Sequence, residues 1–517
     1  MKNFLLGVDL GTTNVKASIY DFEGKLVSAG EAGSYEIISE RPNWAEQDAR
    51  IWWSDTVLAI RRALAGLKGS ADEIAGISVS SQGMAMLPLD ANGEPLCLAH
   101  IWMDRRGTEE AKYIEEVFGA DRIRACFGVK SDSYYQITNI LWFKRNRPDL
   151  WKRTRHIVKA NTYINYKLTG QIALDEPQAI MTMCYDLQKR AWCTELGQML
   201  GIDFERCLPR VGACEEIIGC VTSEAAQSTG LCEGTPVAMG GVDTGLALLE
   251  MGINGIGDAG EITGTSSNNV FAARALPPCG CGISFFPPVR ATADVPILLY
   301  GPTNATGENV RWFRRICGLE GEALEDGTPV YQYLEGLARE ASAGCGGLYY
   351  YPYLMGERAP LWNNDVRGML IGATTNTRRG DLLRAIYEGT CFAQREIFEA
   401  AHRIGGIQTK RLFVSGGCAR SDIWMQIKAS MLNLPVYVTS GSGGAPKGDA
   451  ILAGYATGVY RDLFETAEAM RTIARTFEPV PEWRQLYDEM YPIYIRMRNH
   501  LMDDFAESAR IFSGKPR

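Results

Sequence analysis

The feature that most constrains the fold is a pair of short β-rich runs at the N-terminus, residues 4–9 and 15–20. A tight turn, residues 11–14 (GTTN), joins them, and a third β-rich run follows the turn signal at residues 21–24. This pattern predicts a β-meander. A glycine-rich hairpin turn exposes successive backbone N–H groups and lets a phosphate group approach them closely. The turn is therefore a candidate phosphate-binding loop.

The side chains around this turn fit the same chemistry. Gly11 opens the turn, Thr12 and Thr13 add hydroxyl donors, and Lys16 adds positive charge. Asp9 ends the first run, where a carboxylate can hold a hydrated Mg²⁺ ion. The GxxxxGK[ST] pattern of a Walker A loop is absent. An ordinary hairpin closed by an Asx turn is the alternative interpretation.

The rest of the chain alternates between two periodicities. Apolar residues recur at three- and four-residue steps over residues 49–67, which predicts a helix. The following run, residues 74–80 (IAGISVS), reads as a buried strand. Strands that alternate with helices indicate an α/β protein whose sheets are covered on both faces. Further strands are predicted at 235–239, 258–263 and 411–415, and further helices at 306–317, 379–404 and up to residue 432.

The length of the chain and a repeated strand–turn pattern indicate two domains. A chain of 517 residues is too long for one ordinary hydrophobic core. A short strand followed by a Gly-rich turn occurs near residue 9 and again near residue 263, where residues 264–267 (GTSS) follow. This repetition is consistent with two related domains that face one cleft. The Gly-rich segment 251–257 places the boundary, which gives domains 1–250 and 251–517.

Charge and composition exclude some classes of function. The net charge is -8, whereas proteins that bind nucleic acid or membrane surfaces in general need basic patches. Residues 1–10 lack the longer apolar segment of a secretory signal, and no run reaches the length of a membrane span. We therefore expect a cytoplasmic protein without nucleic-acid or membrane partners.

The spacing of cysteine and histidine argues against zinc sites and disulfides. The 14 cysteines include no CxxC pair, and their closest approach is Cys279-Gly-Cys281. Buried reduced thiols are therefore expected. None of the 4 histidines has an acid, a thiol or a second histidine at metal-ligand spacing. We expect a chemistry that histidine does not carry.

One acid lies on a glycine-flanked turn, residues 240–245 (GGVDTG). The glycines let a substrate approach the backbone, and Asp243 points into the space that they leave. Phosphoryl transfer to a hydroxyl group needs one positioned carboxylate to accept the proton. Asp243 is therefore the candidate base. A cap for the following helix, residues 244–249, is the alternative.

Two later turns extend the phosphate chemistry. Residues 264–267 form a second Gly/hydroxyl turn after a strand, and two such hairpins from two domains can clamp a polyphosphate chain from both sides. A Gly-Gly turn then joins the strand at 411–415 to a helix. Such an opening suits a flat ligand, such as adenine, that lies against the backbone. Taken singly, each turn is also typical of a purely structural connection.

Taken together, these segments resemble the FGGY carbohydrate kinases, and the match runs from about residue 4 to residue 460. The similar segments occur in the family's order along the chain. They are the first phosphate loop (8–16, VDLGTTNVK), the sugar-binding W-x-D-x-R segment (101–106, IWMDRR), the segment with the catalytic Asp (240–245), the second phosphate loop (264–267), the C-terminal signature (368–388, with Ala373 where a larger aliphatic is usual), the adenosine motif (415–436) and its small-residue follower (446–450, PKGDA).

The resemblance implies two actin-like, ribonuclease-H-like domains, with ATP and a sugar bound in the cleft between them. It implies phosphorylation of the sugar with ATP and Mg²⁺, sugar contacts mostly from the N-terminal domain, and adenine contacts from the C-terminal one. The implied residues are Asp243 and Asp9 for catalysis and for the metal; Gly11, Thr12, Thr13, Lys16, Gly264, Thr265, Gly307, Gly416, Gly417 and Ser421 for the nucleotide; and Gly83, Met84, Trp102, Asp104, Asp243 and Thr244 for the sugar.

Departures from the family pattern bear on which sugar is bound. Asn139 stands where the family has Lys before Leu-x-Trp, and Thr244 stands where xylulose kinases commonly have Asn. Residues 81–84 (SQGM) lack the Arg-Glu of glycerol kinases and the Met-His of xylulose kinases, so glycerol is disfavoured. We expect a ketopentose such as xylulose or ribulose, then a related ketose or polyol. Gluconate comes last, because a negative Asp104 disfavours an anionic aldonate.

Other interpretations stay open from the sequence. A non-catalytic actin-like ATPase would share the phosphate loops but would not need residues 101–106 or Asp243. A regulator that binds sugar without phosphorylating it is opposed by the retention of Asp9 and Asp243. For Trp102 and Asp104, the alternative is the surface start of a helix, with Asp104 as its cap. A homodimer remains an alternative to a monomer.

Overall fold

The computed structural model describes residues 2–278, 280–440 and 444–512, so Cys279 of the predicted Cys279-Gly-Cys281 pair lies outside the described residues. The chain divides into two compact units. These units are not contiguous, unlike the expected domains 1–250 and 251–517. The first unit comprises Met1–Gly252, Pro287–Thr292 and Gly441–Arg471, and the second unit comprises Ile253–Phe286, Ala293–Ser440 and Thr472–Arg517.

Strands and helices alternate through the first half of the chain, as the sequence predicts. The strands up to residue 252 are β1 Phe4–Leu10, β2 Val15–Asp21, β3 Leu26–Ala32, β4 Glu46–Gln47, β5 Ile74–Ser81, β6 Leu87–Leu89, β7 Ala99–His100, β8 His156–Val158, β9 Ala173–Asp175, β10 Tyr185–Asp186, β11 Ala191–Trp192, β12 Arg210–Gly212, β13 Ile217–Cys220, β14 Pro236–Ala238 and β15 Gly241–Val242. The helices are α1 Ala49–Ala65, α2 Thr108–Phe118, α3 Ala120–Phe127, α4 Gln136–Asn146, α5 Pro148–Arg153, α6 Ala160–Thr169, α7 Glu176–Ile180, α8 Thr194–Leu200, α9 Phe204–Cys207, α10 Ser223–Thr229 and α11 Asp243–Glu250.

The second half of the chain continues the alternation. Its strands are β16 Asp258–Thr263, β17 Ser267–Ala273, β18 Ser284–Phe286, β19 Ile297–Pro302, β20 Tyr349–Tyr351, β21 Met369–Ile371, β22 Arg411–Gly416, β23 Val436–Thr439 and β24 Ile473–Phe477. Its helices are α12 Gly307–Ile316, α13 Val330–Glu340, α14 Arg379–Gly405, α15 Asp422–Leu432, α16 Pro446–Ala456, α17 Leu463–Met470, α18 Pro481–His500 and α19 Met502–Phe512. Of these, α16 and α17 belong to the first unit.

The first unit is built on a sheet with the order β13-β14-β5-β1-β2-β3, and β15 pairs with β5. Strands β1, β2 and β3 pair antiparallel, which confirms the predicted β-meander. Strand β5 lies parallel to β1, and β14 lies parallel to β5. Both β1 and β5 are buried along nearly their whole length, as is typical of central strands covered on two faces. The register places Asp9 beside Ser80 at the carboxyl ends of these strands.

Helices cover both faces of this sheet. Helix α1 packs on β2 and β3, in one hydrophobic cluster with Leu6 and Val8 of β1. Helix α16 packs on β1 and β5, and Leu5 joins a separate cluster with Ala450 and Ala453. Neighbouring residues of a strand face opposite sides of a sheet, so the two helices lie on opposite faces. The predicted α/β layering is therefore observed in the first unit.

The second unit repeats the strand arrangement of the first. Its sheet has the order β18-β19-β17-β16-β22-β23-β24. Strands β16, β17 and β19 pair antiparallel, whereas β22 lies parallel to β16 and β23 lies parallel to β22. Each unit thus has an antiparallel meander followed by parallel strands. The turn between β16 and β17 is the predicted second hairpin turn.

The long helix α14 carries much of the second unit's core. Its Arg384 and Glu388 form a buried ion pair of 3.0 Å. The hydroxyl of Tyr487 in α18 donates a hydrogen bond of 2.8 Å to the same Glu388 carboxylate. Buried charges are tolerated when they are paired and hydrogen-bonded. This network therefore joins α14 to α18 inside the second unit.

Two expectations about composition can be compared with the structure. In the described part of the chain, no helix combines the length and the apolar character that crossing a membrane requires. The thirteen cysteines in this part are all free, and Cys220 is the exposed one among them. The prediction of buried reduced thiols is therefore met in part, because six of the thirteen are buried and six are half-buried.

Candidate active site

Asp9 lies near the end of β1, where the sheet meets the start of α16. Its side chain is 7% exposed. The Oδ1 atom lies 3.4 Å from the hydroxyl of Ser80, and Oδ2 lies 3.4 Å from the backbone N–H of Ala445. Burial raises the pKa of Asp9, while this N–H group, the charge of Lys16 and the Ser80 hydroxyl act in the opposite direction. Asp9 is thus a buried carboxyl group with few donors around it.

Asp243 is the first residue of α11 and follows β15 directly. Its Oδ1 atom accepts hydrogen bonds from the N–H group of Thr244 at 2.5 Å and from the Thr244 hydroxyl at 3.2 Å. Burial, and then the negative charge of Asp9, raise the pKa of Asp243 to about 7. A carboxyl group with a pKa near the working pH is suited to accept a proton.

The alternative role of Asp243, as the cap of the following helix, is only partly fulfilled in the structure. The N-cap position of α11 belongs to Val242, whose side chain makes no capping hydrogen bond. Asp243 accepts from the N–H group of its neighbour Thr244, which is one of the unpaired amides at the start of a helix. This bond leaves Oδ2 without a recorded protein donor among the described residues, so a second partner can bind there.

A third carboxyl group, that of Asp449 in α16, lies near Asp9. It is fully buried, and its oxygens are hydrogen-bonded to the hydroxyl groups of Ser78 at 2.8 Å and Ser80 at 2.6 Å. Burial, and to a lesser degree the charge of Asp9, raise the pKa of Asp449 well above its ordinary range. Sequence reasoning placed Asp449 only in a small-residue segment. The signal that it missed is the pair of serines on one face of an otherwise apolar strand.

Asp9 and Asp243 are the two carboxyl groups of this site that suit a divalent cation. Among the described residues, no group of three or more His, Cys, Asp or Glu side chains is arranged to hold a metal ion. Mg²⁺ usually takes only one or two carboxylates, with water and phosphate oxygens as its other ligands. The charge of Asp9 raises the pKa of Asp243, and a bound cation would offset this repulsion. Asp9 and Asp243 are thus the residues that could hold Mg²⁺.

The first hairpin turn is held mainly through its carbonyl groups. The hydroxyl of Tyr35 contacts the carbonyl of Gly11, and the Tyr35 N–H group donates to the Thr13 carbonyl at 3.2 Å. The side chain of Gln47 donates to the Thr12 carbonyl at 2.7 Å. Lys16 lies on β2 opposite Asp9. The structure therefore brings together Gly11, Thr12, Thr13, Lys16 and Asp9 as the sequence predicts.

Trp102 connects the predicted sugar segment to this turn. Its indole N–H group donates a hydrogen bond of 3.0 Å to the hydroxyl of Thr12. The residue remains 37% exposed, so the indole ring can form an apolar wall for a ligand. The two segments are 90 residues apart in the sequence. Trp102 thus lies beside the first hairpin.

Asp104 differs from the sequence-based expectation. Its Oδ2 atom accepts from the N–H group of Ala45 at 2.8 Å and from two nitrogens of the Arg106 side chain, at 3.0 and 2.7 Å. Its Oδ1 atom accepts from the backbone and side chain of the same Arg106, each at 3.0 Å. The carboxylate is 1% exposed. Both oxygens are therefore engaged within the protein, which favours a positioning role over direct contact with a sugar or a helix cap.

Arg106 completes this buried cluster. Its guanidinium group forms a second ion pair of 2.9 Å with Glu46. The same group lies over the rings of Trp44 and Trp142, at 3.8 and 4.9 Å from their centroids. Planar guanidinium groups suit such stacking and bidentate pairing. The negative charge of Asp104 is thus neutralised inside the first unit.

Residues 81–84 lie next to the segment that carries Asp243. A Cβ atom on Gly83 would lie 3.2 Å from a methyl group of Val242. Met84 is buried and has a φ of 61°, a conformation that residues with a side chain rarely adopt. Gln82 donates to Gln47 at 2.8 Å, and Gln47 also binds the Thr12 carbonyl. The structure thus brings Gly83, Met84 and Thr244 to the carboxyl ends of β5 and β15.

The second unit holds its own set of predicted residues around Gly264 and Thr265. The N–H group of Gly307 donates to the Gly264 carbonyl at 2.9 Å, and a Cβ atom on Gly307 would lie 2.4 Å from that oxygen. The start of α12 is thus fixed against the hairpin turn. Arg311, which sequence reasoning missed, donates from its guanidinium group to the Thr265 hydroxyl. No spacing rule in the sequence pointed to this contact.

The Gly-Gly turn after β22 lies beside the same hairpin. Gly416 has a φ of 106°, and a Cβ atom there would lie 2.0 Å from the Thr263 carbonyl, so a larger residue would clash. A Cβ atom on Gly417 would meet nothing within 4 Å. Ser421 caps α15 and donates to Glu335 at 2.6 Å. The turn therefore fits the predicted location, whereas the Ser421 hydroxyl already has a structural role.

Two family models match the chain in succession. Residues 4–250 match the N-terminal domain of the FGGY family of carbohydrate kinases, and residues 262–457 match its C-terminal domain. The matched residues include both hairpin turns, Asp243 and Asp449.

Individual proteins are similar over nearly the whole length. A xylulose kinase of Bacillus subtilis (strain 168) is 29% identical, with 97% of each chain covered. A glycerol kinase of Thermococcus gammatolerans is 28% identical, with 93% of this chain and 94% of that protein covered. The crystal structure of a gluconate kinase from Lactobacillus acidophilus superposes with a TM-score of 0.85 and 25% identity, covering 98% of this chain and 99% of that one. The predicted fold class, two actin-like α/β domains, is confirmed.

Proposed function

Because the chain belongs to the FGGY family of carbohydrate kinases, we propose that it transfers the γ-phosphoryl group of ATP directly to a hydroxyl group of a small sugar, with Asp243 as the general base. The observation that carries this proposal is the position and pKa of Asp243. Its carboxyl group lies at the start of α11 and near Asp9, directly after Val242, which packs beside Gly83, and its pKa is raised to about 7. A kinase for such substrates needs one carboxylate of this kind.

The proposed reaction is a direct transfer of the γ-phosphoryl group. The sugar hydroxyl gives its proton to Asp243 while its oxygen forms a bond to the γ-phosphorus. The bond from that phosphorus to the bridging oxygen breaks, and ADP leaves with the electron pair. Thr244 orients Asp243, because its N–H and hydroxyl groups both donate to Oδ1. This leaves Oδ2 to accept the proton.

Mg²⁺ belongs to the same proposal. Asp9 would hold it, with water and phosphate oxygens as the remaining ligands, and Asp243, whose Oδ2 atom is kept for the proton, would add its negative charge nearby. The cation supplies neutralisation of the charge on the transferred phosphoryl group. Lys16, which lies opposite Asp9 on β2, adds a fixed positive charge at the first hairpin.

The two units are proposed to divide the substrates. The first unit contains Gly83, Met84, Trp102 and Asp243, which suits a sugar. The second unit contains the turns around Gly264 and Gly416, which suit phosphate and adenine through close backbone approach. Thr265 and Arg311 add a hydroxyl group and a cation to that nucleotide site.

A ketopentose stays the first candidate substrate, but the earlier reason for ranking gluconate last no longer holds. The carboxylate of Asp104 is buried and paired with Arg106, so it does not repel an anionic sugar acid. The preference for xylulose or ribulose rests on the similarity to a xylulose kinase. The similarity to a glycerol kinase and a gluconate kinase keeps polyols and aldonates as the alternatives.

A coupled assay of ADP release tests this proposal. The purified protein is supplied with Mg²⁺ and ATP and with one member at a time of a panel of pentuloses, hexuloses, polyols and aldonates. We expect release of ADP that depends on the sugar, with the highest kcat/KM for a pentulose. A sugar-independent ATPase rate across the whole panel would instead support the actin-like ATPase. Faster turnover of gluconate than of every neutral sugar would replace the pentulose with an aldonate.

A further inference from the structure

Asp449 has an unusual environment for a carboxyl group. It lies in α16 with no exposed surface. Its side chain is hydrogen-bonded to the hydroxyl groups of Ser78 and Ser80 and to the backbone of Ser80, and among the described residues it forms no ion pair. Buried carboxyl groups without a cation are expected to keep their proton. The pKa of Asp449 is accordingly raised well above its ordinary range.

Ser80 stands between Asp449 and Asp9. Its hydroxyl oxygen lies 2.6 Å from Asp449 Oδ2 and 3.4 Å from Asp9 Oδ1. A serine hydroxyl has one hydrogen to donate and can accept another. Both carboxyl contacts are satisfied together when the protonated Asp449 donates to Ser80 and Ser80 donates to Asp9 rather than to the carbonyl group of Val8, which lies 3.5 Å from the same hydroxyl oxygen. Ser78 bonds only to the other oxygen of Asp449, at 2.8 Å, and no bond from it to Asp9 is recorded.

The backbone fixes Asp449 at this place. A Cβ atom on Gly7 would lie 1.8 Å from the carbonyl oxygen of Pro446, and a Cβ atom on Gly448 would lie 2.0 Å from that of Leu246. Helix α16 therefore approaches both β1, which carries Asp9, and α11, which begins with Asp243. Contacts this close leave α16 little freedom to shift.

From these contacts we infer that Asp449 and Ser80 form a relay that positions the Asp9 carboxylate for binding the cation of the metal–nucleotide complex. Asp449 is a positioning residue, since it acts on Asp9 through Ser80 and does not itself reach the ligand. Groups that orient a metal ligand in this way commonly change metal affinity when they are removed. The inference rests on the proposed function, because it takes Asp9 as the metal-binding group.

A pair of serine variants tests the relay: Ser80→Ala should break it, and Ser78→Ala should not. Mn²⁺ replaces Mg²⁺ as the probe, and its binding to the whole protein with ADP present is followed by electron paramagnetic resonance, without any sugar. We expect Ser80→Ala to weaken Mn²⁺ binding on the order of tenfold to 100-fold. Ser78→Ala is the matched control, because it removes an equally buried hydroxyl group from the same strand and the same carboxyl group. We expect it to change Mn²⁺ binding much less. Equal losses in the two variants would overturn the relay.

Two variants of Asp449 test the hydrogen bond itself. The amide of Asp449→Asn can donate to Ser80 and accept from Ser78, so we expect Mn²⁺ affinity close to that of the unchanged protein. Asp449→Ala removes the donor, and we expect it to lose as much Mn²⁺ affinity as Ser80→Ala. An Asn variant as weak as the Ala variant would overturn the inference. If Asp449→Ala does not fold, the comparison of Ser80→Ala with Ser78→Ala still tests the relay.

The same measurement separates this inference from the proposed function. If the unchanged protein binds Mn²⁺ with ADP but the serine variants do not differ, only the relay fails. If the unchanged protein does not bind Mn²⁺ with ADP, both the proposed function and the relay that rests on it fail. The readout needs no knowledge of which sugar is the substrate.

Discussion

At the scale of single residues, Asp243 owes its expected reactivity to its neighbours. Burial and the charge of Asp9 raise its pKa, whereas the N–H and hydroxyl groups of Thr244 lower it. The result, a pKa of about 7, leaves a substantial ionised fraction at neutral pH that can accept a proton. A substitution of Asp9 or Thr244 should therefore shift the pKa of Asp243 although Asp243 itself is unchanged.

Replacing Asp243 tests its role directly. Asp243→Asn keeps the size and the hydrogen bonds to Thr244 but cannot accept the proton. We expect kcat to fall by about 10²–10⁴-fold, the range for a positioned general base. Nucleotide affinity, measured by ADP titration, should change little. A variant that keeps half of the original kcat would assign Asp243 to the helix start instead.

The pH dependence tests the same group through Thr244. Asp243 must be ionised to act as a base, so kcat/KM should rise with pH through the pKa of Asp243 and then level off. This pKa is about 7 in the protein without a cation, and bound Mg²⁺ moves it lower because it offsets the charge of Asp9. Thr244→Val removes the hydroxyl bond that lowers the pKa of Asp243, so the rise should move to higher pH. Thr244→Ser keeps the hydroxyl group and is the control. A pH profile that is identical in all three proteins would contradict this assignment.

At the scale of elements, the second hairpin and α12 act together. Thr265 lies in the turn and receives a hydrogen bond from Arg311 of the helix. We expect Thr265→Val and Arg311→Met each to raise the KM for ATP by about tenfold, the effect of losing one hydrogen bond to a charged group. Arg315→Met is the matched control, since Arg315 also pairs with Glu308 but has no recorded contact with the turn. Equal effects of the Arg311 and Arg315 changes would argue against a nucleotide contact.

The cluster around Asp104 joins elements that are distant in sequence. Asp104→Ala leaves the buried Arg106 with Glu46 as its remaining acid partner, and loss of one partner of a buried pair destabilises a protein by about 3–5 kcal/mol. Trp102, two residues away, would lose its fixed position. We expect kcat/KM for the sugar to fall by about 10²-fold, with unchanged ATP affinity. Sugar kinetics and urea unfolding measure the two effects, and equal loss of sugar and ATP affinity would remove Asp104 from the sugar site.

The elements also show how far the sequence alone reaches. Strands and helices follow from local periodicity, so the meander β1–β3 and helix α1 could be predicted within a few residues. The partners of buried polar groups depend on the tertiary fold. Asp104 was expected to face a sugar because residues 101–106 resemble a sugar-binding segment, and the sequence does not show that its carboxylate is already engaged by the nearby Arg106 and by the N–H group of Ala45, 59 residues away. Asp449 was not recognised, because its partner Ser78 lies 371 residues away. The serine pair on β5 is visible in the sequence, but the acid that it binds is not.

At the scale of the whole molecule, the course of the chain limits how it can be divided. The first unit includes α16 and α17 from near the C-terminus. Ala450 and Ala453 of α16 complete a hydrophobic cluster with Leu5 and Tyr20. Ile451 and Leu452 pack in another cluster with Leu246 and Leu249. A fragment that stops near residue 252 therefore lacks one covering layer of its own sheet.

This predicts the behaviour of two fragments. Residues 1–252 alone would expose the face of β1 and β5 that α16 covers, and apolar surface exposed in this way favours aggregation over folding. A second fragment joins residues 1–252 through a flexible linker to residues 444–471, which restores α16 and α17. We expect the second fragment to unfold cooperatively in urea and the first to show no cooperative transition, with circular dichroism as the measurement. A fusion in which Ile451 and Leu452 are changed to Asp is the matched control, because it keeps the length but cannot pack, and it should behave like the first fragment. If residues 1–252 alone unfold with the same midpoint as the fusion, α16 is not required to complete the first unit.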